Sequence, residues 1–235
     1  MRILSRVLPL ATLVLAAAAH SVQAQATQSE AGSVAAIRDN RFKWFFGAQA
    51  GAILFTTPMQ TQTGLPAFGA HIAVVSRRGG LMLGVDEAFG NGESSAFLDQ
   101  QDTLGVGVVR PVTFDRLRRY QFNMTGYPVR GSLQPYLGIG FGLIQVINPQ
   151  VGGVFGSPDE AAISAADADE RSSTGFLSFL AGVQFRVGRM AAFGQYQINT
   201  SPSPGNLLKG PGHSLMGGLR FSLGSSREGV KGGGY

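Results

Sequence analysis

From Arg41 to Leu223 the chain is a series of short stretches in which bulky apolar residues take every second position. That is the period of a β-strand whose two faces meet different surroundings. In 135–145, PYLGIGFGLIQ, the glycines Gly138, Gly140 and Gly142 alternate with Leu137, Ile139, Phe141 and Leu143. Glycine loops that cradle phosphates use other spacings and open a helix. No helical period follows here, so the stretch is a strand with one face of bulk and one of almost nothing. In RFKWFFGAQAGAILF, 41–55, one face is Phe42, Trp44, Phe46, Ala48, Ala50, Ala52 and Leu54; the other is Lys43, Phe45, Gly47, Gln49, Gly51, Ile53 and Phe55.

The same two-faced pattern recurs at 68–77, 81–89, 119–127, 176–187, 190–199 and 214–223. In RRYQFNMTGY, for example, Tyr120, Phe122 and Met124 oppose Arg119, Gln121, Asn123 and Thr125. A water-facing side of a soluble sheet carries mostly charges. These polar faces carry glycine, small polar residues and single arginines instead, which suits a crowded interior. The apolar faces persist for about ten residues, the length of a tilted strand crossing a bilayer. Apolar outside and polar inside predicts a transmembrane β-barrel, with Gly138, Gly140 and Gly142 toward the lumen and Ile139 and Phe141 toward lipid.

The connections alternate in length. RRGG at 77–80, RGSLQP at 130–135 and GR at 188–189 are short, whereas about 56–67, 90–116, 148–174 and 200–213 are long. Three short turns and four long loops require eight strands, so the predicted fold is an all-β, eight-stranded antiparallel up-and-down transmembrane β-barrel. The segment TLGVGVVRPVTF, 103–114, also alternates, but Pro111 argues against a central membrane strand. It is read as part of a hairpin rising above the membrane from the second long loop.

Composition supports this reading. Of 235 residues, 44% are hydrophobic and only 14% charged, and there is no cysteine; soluble domains carry nearer a quarter charged residues. The start, MRILSRVLPLATLVLAAAAHSVQAQA, has a basic n-region at Arg2 and Arg6, an apolar run and small residues suited to cleavage. It reads as an export signal over 1–24. A segment 25–40 follows it, the barrel spans 41–223, and a glycine-rich tail covers 224–235. The net charge of +5, less the two leader arginines, leaves +3. No basic run with interleaved aromatics suggests nucleic acid.

With these residues in view, 41–223 resembles the eight-stranded bacterial outer-membrane β-barrel families of the OmpA membrane-domain and OmpX kind. MGGLRFSL, Met216 to Leu223, looks like their closing-strand assembly signal, with Gly218, Phe221 and Leu223 at matching positions and Met216 where a polar residue is usual. The resemblance implies a place in the Gram-negative outer membrane with both termini periplasmic. It also implies outer-membrane lipid and lipopolysaccharide as neighbours, and the barrel assembly machinery and periplasmic chaperones as partners during biogenesis. The tail is too short for the peptidoglycan-binding domain that OmpA carries.

Three functions are compatible with such a barrel: a non-enzymatic structural or surface-interaction protein, a small pore or hydrophobic-ligand channel of the OmpW type, and a lipid A-modifying enzyme. An interior just wide enough for side chains to fill favours the first. For the third, His213-Ser214 is the candidate pair, but no supporting acid accompanies it; His71 reads as a packed lumen residue. The acidic stretch SPDEAAISAADADE, 157–170, lacks calcium-loop spacing and reads as a solvated surface loop. No cofactor or metal is expected. Asp86 and Arg119 are expected to pair inside the lumen, because an unpaired buried charge is costly. Arg116 and Arg118, on the outward parity at the rim, are candidates for lipopolysaccharide phosphates. Lys43, Arg77, Arg186 and Arg220 form a basic cluster toward the periplasmic mouth, where a terminal segment bearing Glu30, Asp39 or Glu228 is expected to fold back as a partial plug.

Overall fold

The computed structural model describes residues 41–76, 78–99, 107–129 and 131–227, with the side chains of 41 and 224–227 left out. The expected leader, the segment 25–40, Arg77 and the plug-forming residues Glu30, Asp39 and Glu228 lie outside the described residues. Eight long strands form the wall: β1 (Arg41–Thr56), β2 (Thr63–Val75), β3 (Gly79–Asp99), β4 (Val108–Gly126), β5 (Leu133–Ile147), β7 (Ser173–Val187), β8 (Met190–Asn199) and β9 (Lys209–Arg227). A two-residue strand β6 (Gln150–Val151) and a helix α1 (Pro158–Glu170) lie in the loop between β5 and β7. Each wall strand is hydrogen-bonded to its sequence neighbours, β1 neighbours β9, and every pairing with a resolved register is antiparallel. The ring of eight wall strands is therefore closed and has no edge strand.

The register puts the alternating faces where their chemistry fits. Leu137, Ile139, Phe141 and Leu143 stand exposed on the outer wall. A Cβ added to Gly138 would press on Leu180, one on Gly140 on Asn123, and one on Gly142 on Phe176, all inside the barrel. Exposed large apolar residues occur on all eight wall strands, among them Phe46, Phe68, Leu83, Met124, Phe179, Ile198 and Leu219. A soluble monomer rarely exposes a continuous apolar patch beyond a few hundred Å². A belt on every strand is stable only against hydrocarbon, and the barrel is transmembrane.

The antiparallel ring puts the β2–β3, β4–β5 and β7–β8 connections, none above six residues, at one end (the short-turn end), and the β1–β2, β3–β4, β5–β7 and β8–β9 connections, none below six, at the other (the long-loop end). The turn between β7 and β8 is closed by Gly188 at φ +58°, a left-handed conformation suited to a two-residue hairpin. The long links are more structured than the sequence pattern suggests. β3 continues past a bulge between Phe89 and Glu93, where Gly92 has φ +85°, and pairs with β4 as far as Asp99↔Val108. Residues 108–114 thus form one arm of a hairpin that extends the barrel, with Pro111 opposite Ala96. Residues 157–170 are not a loop. Most of the stretch is helix α1, opened by Ser157, whose side chain accepts from the Glu160 amide, with Pro158 in the first turn.

The interior is layered rather than uniformly polar. Toward the long-loop end, Ile53, Phe55, Leu65, Phe97, Phe114, Leu117, Val146, Phe176 and Met216 form an apolar layer. The loop 200–208 enters it through Leu207 and Leu208, both buried. Toward the short-turn end, Phe45, Val75, Met82, Tyr127, Tyr136 and Leu180 form a second apolar layer. The polar lumen faces legible in the sequence lie between the two.

Candidate functional site

The middle belt is centred on Asp86. Its register partners are Gly69 on β2 and Arg119 on β4, so strand pairing alone brings the two charges to one level on the inner face. Arg119 Nε and Nη2 donate to Asp86 Oδ2 at 3.0 and 2.7 Å, and both side chains are fully buried. Gln121 Nε2 donates to the same oxygen at 2.9 Å, and Gln49 Nε2 donates to Oδ1. Arg119 Nη1 reaches across to Ser214 Oγ at 2.9 Å. Strands β1, β3, β4 and β9 are therefore tied through one carboxylate and one guanidinium. A Cβ on Gly69 would collide with that carboxylate, so glycine gives it room.

Six polar atoms in the lumen (Gln49 Oε1, His71 Nδ1, Gln121 Oε1, Asn123 Nδ2, Gln195 Nε2 and Gln197 Oε1) have no partner among the described residues. Buried polar groups of this kind mark sites suited to internal water.

Of the expected basic cluster, Arg186 and Arg220 are linked through Gln134 and Gln184. Lys43 is exposed at the start of β1, and Arg77 lies outside the described residues. Arg186 is half-buried, donating to Gln134 Oε1 at 3.4 Å with its guanidinium 5.1 Å from the Phe45 ring centre. Arg220 is buried. It donates through Nε to His71 Nε2 at 2.9 Å and through Nη1 to Gln184 Oε1 at 3.2 Å, and it lies 4.0 Å from the Phe193 ring centre and 5.8 Å from that of Tyr136. Among the described residues no carboxylate lies within ion-pair distance of Arg220 or Arg186. Phe193 is the ring nearest the buried cation, and its inward direction is not marked by the alternation of its strand.

At the rim, Arg116 and Arg118 point outward and share Glu87: Nη1 of Arg116 lies 3.5 Å and Nη2 of Arg118 3.2 Å from Glu87 Oε1. Two guanidiniums on one carboxylate leave one positive charge in excess. The closing-strand residues divide by parity. Phe221 and Leu223 face outward, whereas a Cβ on Gly218 would meet the Ala48 carbonyl of β1, so the β1–β9 seam needs glycine there. Met216, one of the departures from the assembly signal, is buried in the apolar layer.

His213 and Ser214 do not form a catalytic pair. As strand neighbours they lie on opposite faces: His213 Nδ1 is 2.7 Å from the Tyr196 hydroxyl on the outer wall, and Ser214 Oγ receives Arg119 in the lumen. No group of three or more metal-binding side chains occurs among the described residues.

The long-loop end carries a second organised site, which the sequence did not reveal. Arg110 of the hairpin is buried and meets Asp99 at 3.3 Å, Glu160 of α1 at 2.5 Å and the Val154 carbonyl at 2.7 Å, with its guanidinium 4.4 Å from the Phe155 ring centre. Ser164 of α1 donates to Asp99 at 2.5 Å. The helix is thus clamped to the hairpin and forms an ordered cap. Its partners lie 11 to 65 residues apart in sequence, which is why no local motif announces it.

No protein-family model matches the chain, and no curated protein matches it. Among solved structures it is similar to Neisserial surface protein A, at 15% identity and a TM-score of 0.46, covering 77% of this chain and 97% of that one. It is also similar to the N-terminal β-barrel domain of Pseudomonas aeruginosa OprF, at 10% identity and a TM-score of 0.39, covering 76% and 97%. A third is the outer membrane enzyme PagL, at 11% identity and a TM-score of 0.31, covering 74% and 99%. The resemblance to eight-stranded outer-membrane barrels drawn from the sequence holds for strand number, order and closure, which the strand pairing itself establishes.

Proposed function

We propose that this chain is an integral outer-membrane protein that presents an ordered cap at the cell surface and acts there by interaction, with a sealed lumen and no catalytic role. The observation that carries the reading is the layered interior. The buried Asp86–Arg119 ion pair lies between two apolar layers, and the loop 200–208 is drawn into the upper one through Leu207. A conducting barrel needs a continuous wet path, and an eight-stranded one has little room to spare. The cap adds a clamped helix and hairpin, more structure than a passive loop requires. The opposed faces of His213 and Ser214 count against hydrolysis of lipid by that pair. The apolar belt on every strand, together with the leader-like start, supports the outer membrane as the location.

Cysteine labelling tests the surface reading, since the chain has no cysteine of its own. Ala166→Cys on α1 and Arg189→Cys in a short turn are both at exposed positions. A membrane-impermeant maleimide applied to intact cells is expected to label the first and spare the second. Labelling of Arg189→Cys alone would invert the orientation. Mass spectra of lipid A from expressing cells are expected to show no new species; a deacylated or acyl-extended product would establish an enzyme instead.

A further inference from the structure

Beside the cap, a groove of about 680 Å³ opens between the outer end of β3, Pro58 and the loop 201–210. That volume is within the range of sites for small organic ligands, roughly 300–1,000 Å³. The groove is fixed on both sides. On the loop side, the Leu207 amide donates to the Arg171 carbonyl at 3.2 Å, the Leu207 carbonyl accepts from Ser95 Oγ at 2.6 Å, and Asn206 Nδ2 donates to Thr174 Oγ1 at 3.3 Å. On the hairpin side stand Phe97, buried, and Leu98, exposed to solvent.

Its lining charges are of one sign. Among the described residues, Arg171 and Lys209 are the charged members of the lining, and no acidic side chain joins them. Arg171 is oriented by Asp167 at 2.8 Å, by the Gly205 carbonyl at 3.2 Å and by the Phe97 ring. These contacts use Nε and Nη1, and among the described residues Nη2 has no partner. Lys209 is exposed and forms no ion pair among the described residues. Pro202, Leu208, Lys209 and Gly210 also border a smaller crevice that reaches the apolar lumen residues Ile53, Phe55, Ile144 and Phe176. The groove sets apolar side chains, Phe97, Leu98, Pro202, Pro204 and Leu208, beside two cations, a pairing that matches a single hydrocarbon chain with an anionic head.

We propose that this groove binds a long-chain fatty carboxylate, its head on Lys209 and Arg171 Nη2 and its chain along Leu98 and Pro202. The assignment goes beyond the surface role proposed above and does not depend on which face of the membrane the cap occupies.

Native mass spectrometry of the purified protein released from non-ionic detergent micelles tests it, with palmitate, neutral monopalmitin and a two-chain anionic phospholipid as probes. One palmitate is expected per protein, with monopalmitin bound about tenfold more weakly, because it keeps the chain and loses the charge. Lys209→Glu, at an exposed strand start, is expected to lower palmitate binding by a similar factor. Leu98→Asp is expected to weaken palmitate and monopalmitin alike. Heat-modified mobility on gels verifies that each variant is folded. Equal binding of palmitate and monopalmitin, preference for the two-chain lipid, or an unaltered Lys209→Glu would each overturn the assignment. Failure of the labelling experiment on intact cells would leave this result standing, and the reverse also holds.

Discussion

Besides Arg110 in the cap, two arginines are buried at different depths of the lumen, Arg119 and Arg220, and they are accommodated by different chemistry. Arg119, in the middle belt, is neutralised by Asp86 through two hydrogen bonds and braced by Ser214. Arg220, nearer the short-turn end, is held by His71, Gln184 and the faces of Phe193 and Tyr136, with no carboxylate among its described partners. Both are excluded from water, and desolvating a guanidinium is costly in either place. The first solution is strong but brittle, because removing either partner strands the other. The second spreads the charge over amide oxygen, imidazole nitrogen and ring quadrupoles, so no single loss leaves an opposite charge behind. A buried guanidinium can therefore be accommodated with or without an ion pair, but the two designs respond differently to mutation.

The largest effect is expected from Asp86→Ala, which leaves Arg119 buried and unpaired. It is expected to cost about 3–5 kcal/mol in urea unfolding from detergent micelles. The double variant Asp86→Leu/Arg119→Met is expected to recover most of that loss, since no charge is then stranded. If the double variant is as unstable as the single, the cost lies in packing and not in the orphaned charge. Arg220→Met is expected to cost less, about 1–2 kcal/mol, for lost hydrogen bonds and cation–π contact. A loss equal to that of Asp86→Ala would erase the distinction between the two arginines.

Arg110→Met tests whether the cap is separate from the wall. Hydrogen exchange is expected to accelerate across 158–170, because Glu160 and Asp99 both lose their cation, while protection in the wall strands is retained. Loss of protection throughout would show that cap and barrel unfold as one unit. The smallest effect is expected at the rim. Arg118→Ala leaves Arg116 on Glu87, and the thermal midpoint is expected to stay within measurement error, as for exposed pairs generally.

The wall was legible in the sequence because strand period and environment agree along it. Leu137, Ile139 and Phe141 alternate with glycines, and Asp86 and Arg119 share a parity that a closed antiparallel register converts into contact. The cap was less legible. Its helix begins with Ser157, Pro158 and Glu160, a capping signal present in the sequence, but the alanine and aspartate positions that follow lack a strong apolar stripe. Arg110 finds its partners only through long-range folding of the hairpin onto α1. The layering of the lumen was partly visible, since Phe45, Ile53 and Phe55 share the inner parity of β1. The insertion of Leu207 was not visible, because a loop residue has no periodicity to reveal its direction. Sequence also gives charge and parity but not depth, which separates exposed Lys43 from buried Arg220.

The central claim is that the lumen is sealed, and single-channel recording in planar bilayers tests it most directly. With the purified wild-type protein in symmetric salt, the account predicts a baseline with no discrete openings. Reproducible unitary steps that scale with salt concentration would contradict it and show that the belt around Asp86 and Arg119 is a gate in a conducting path.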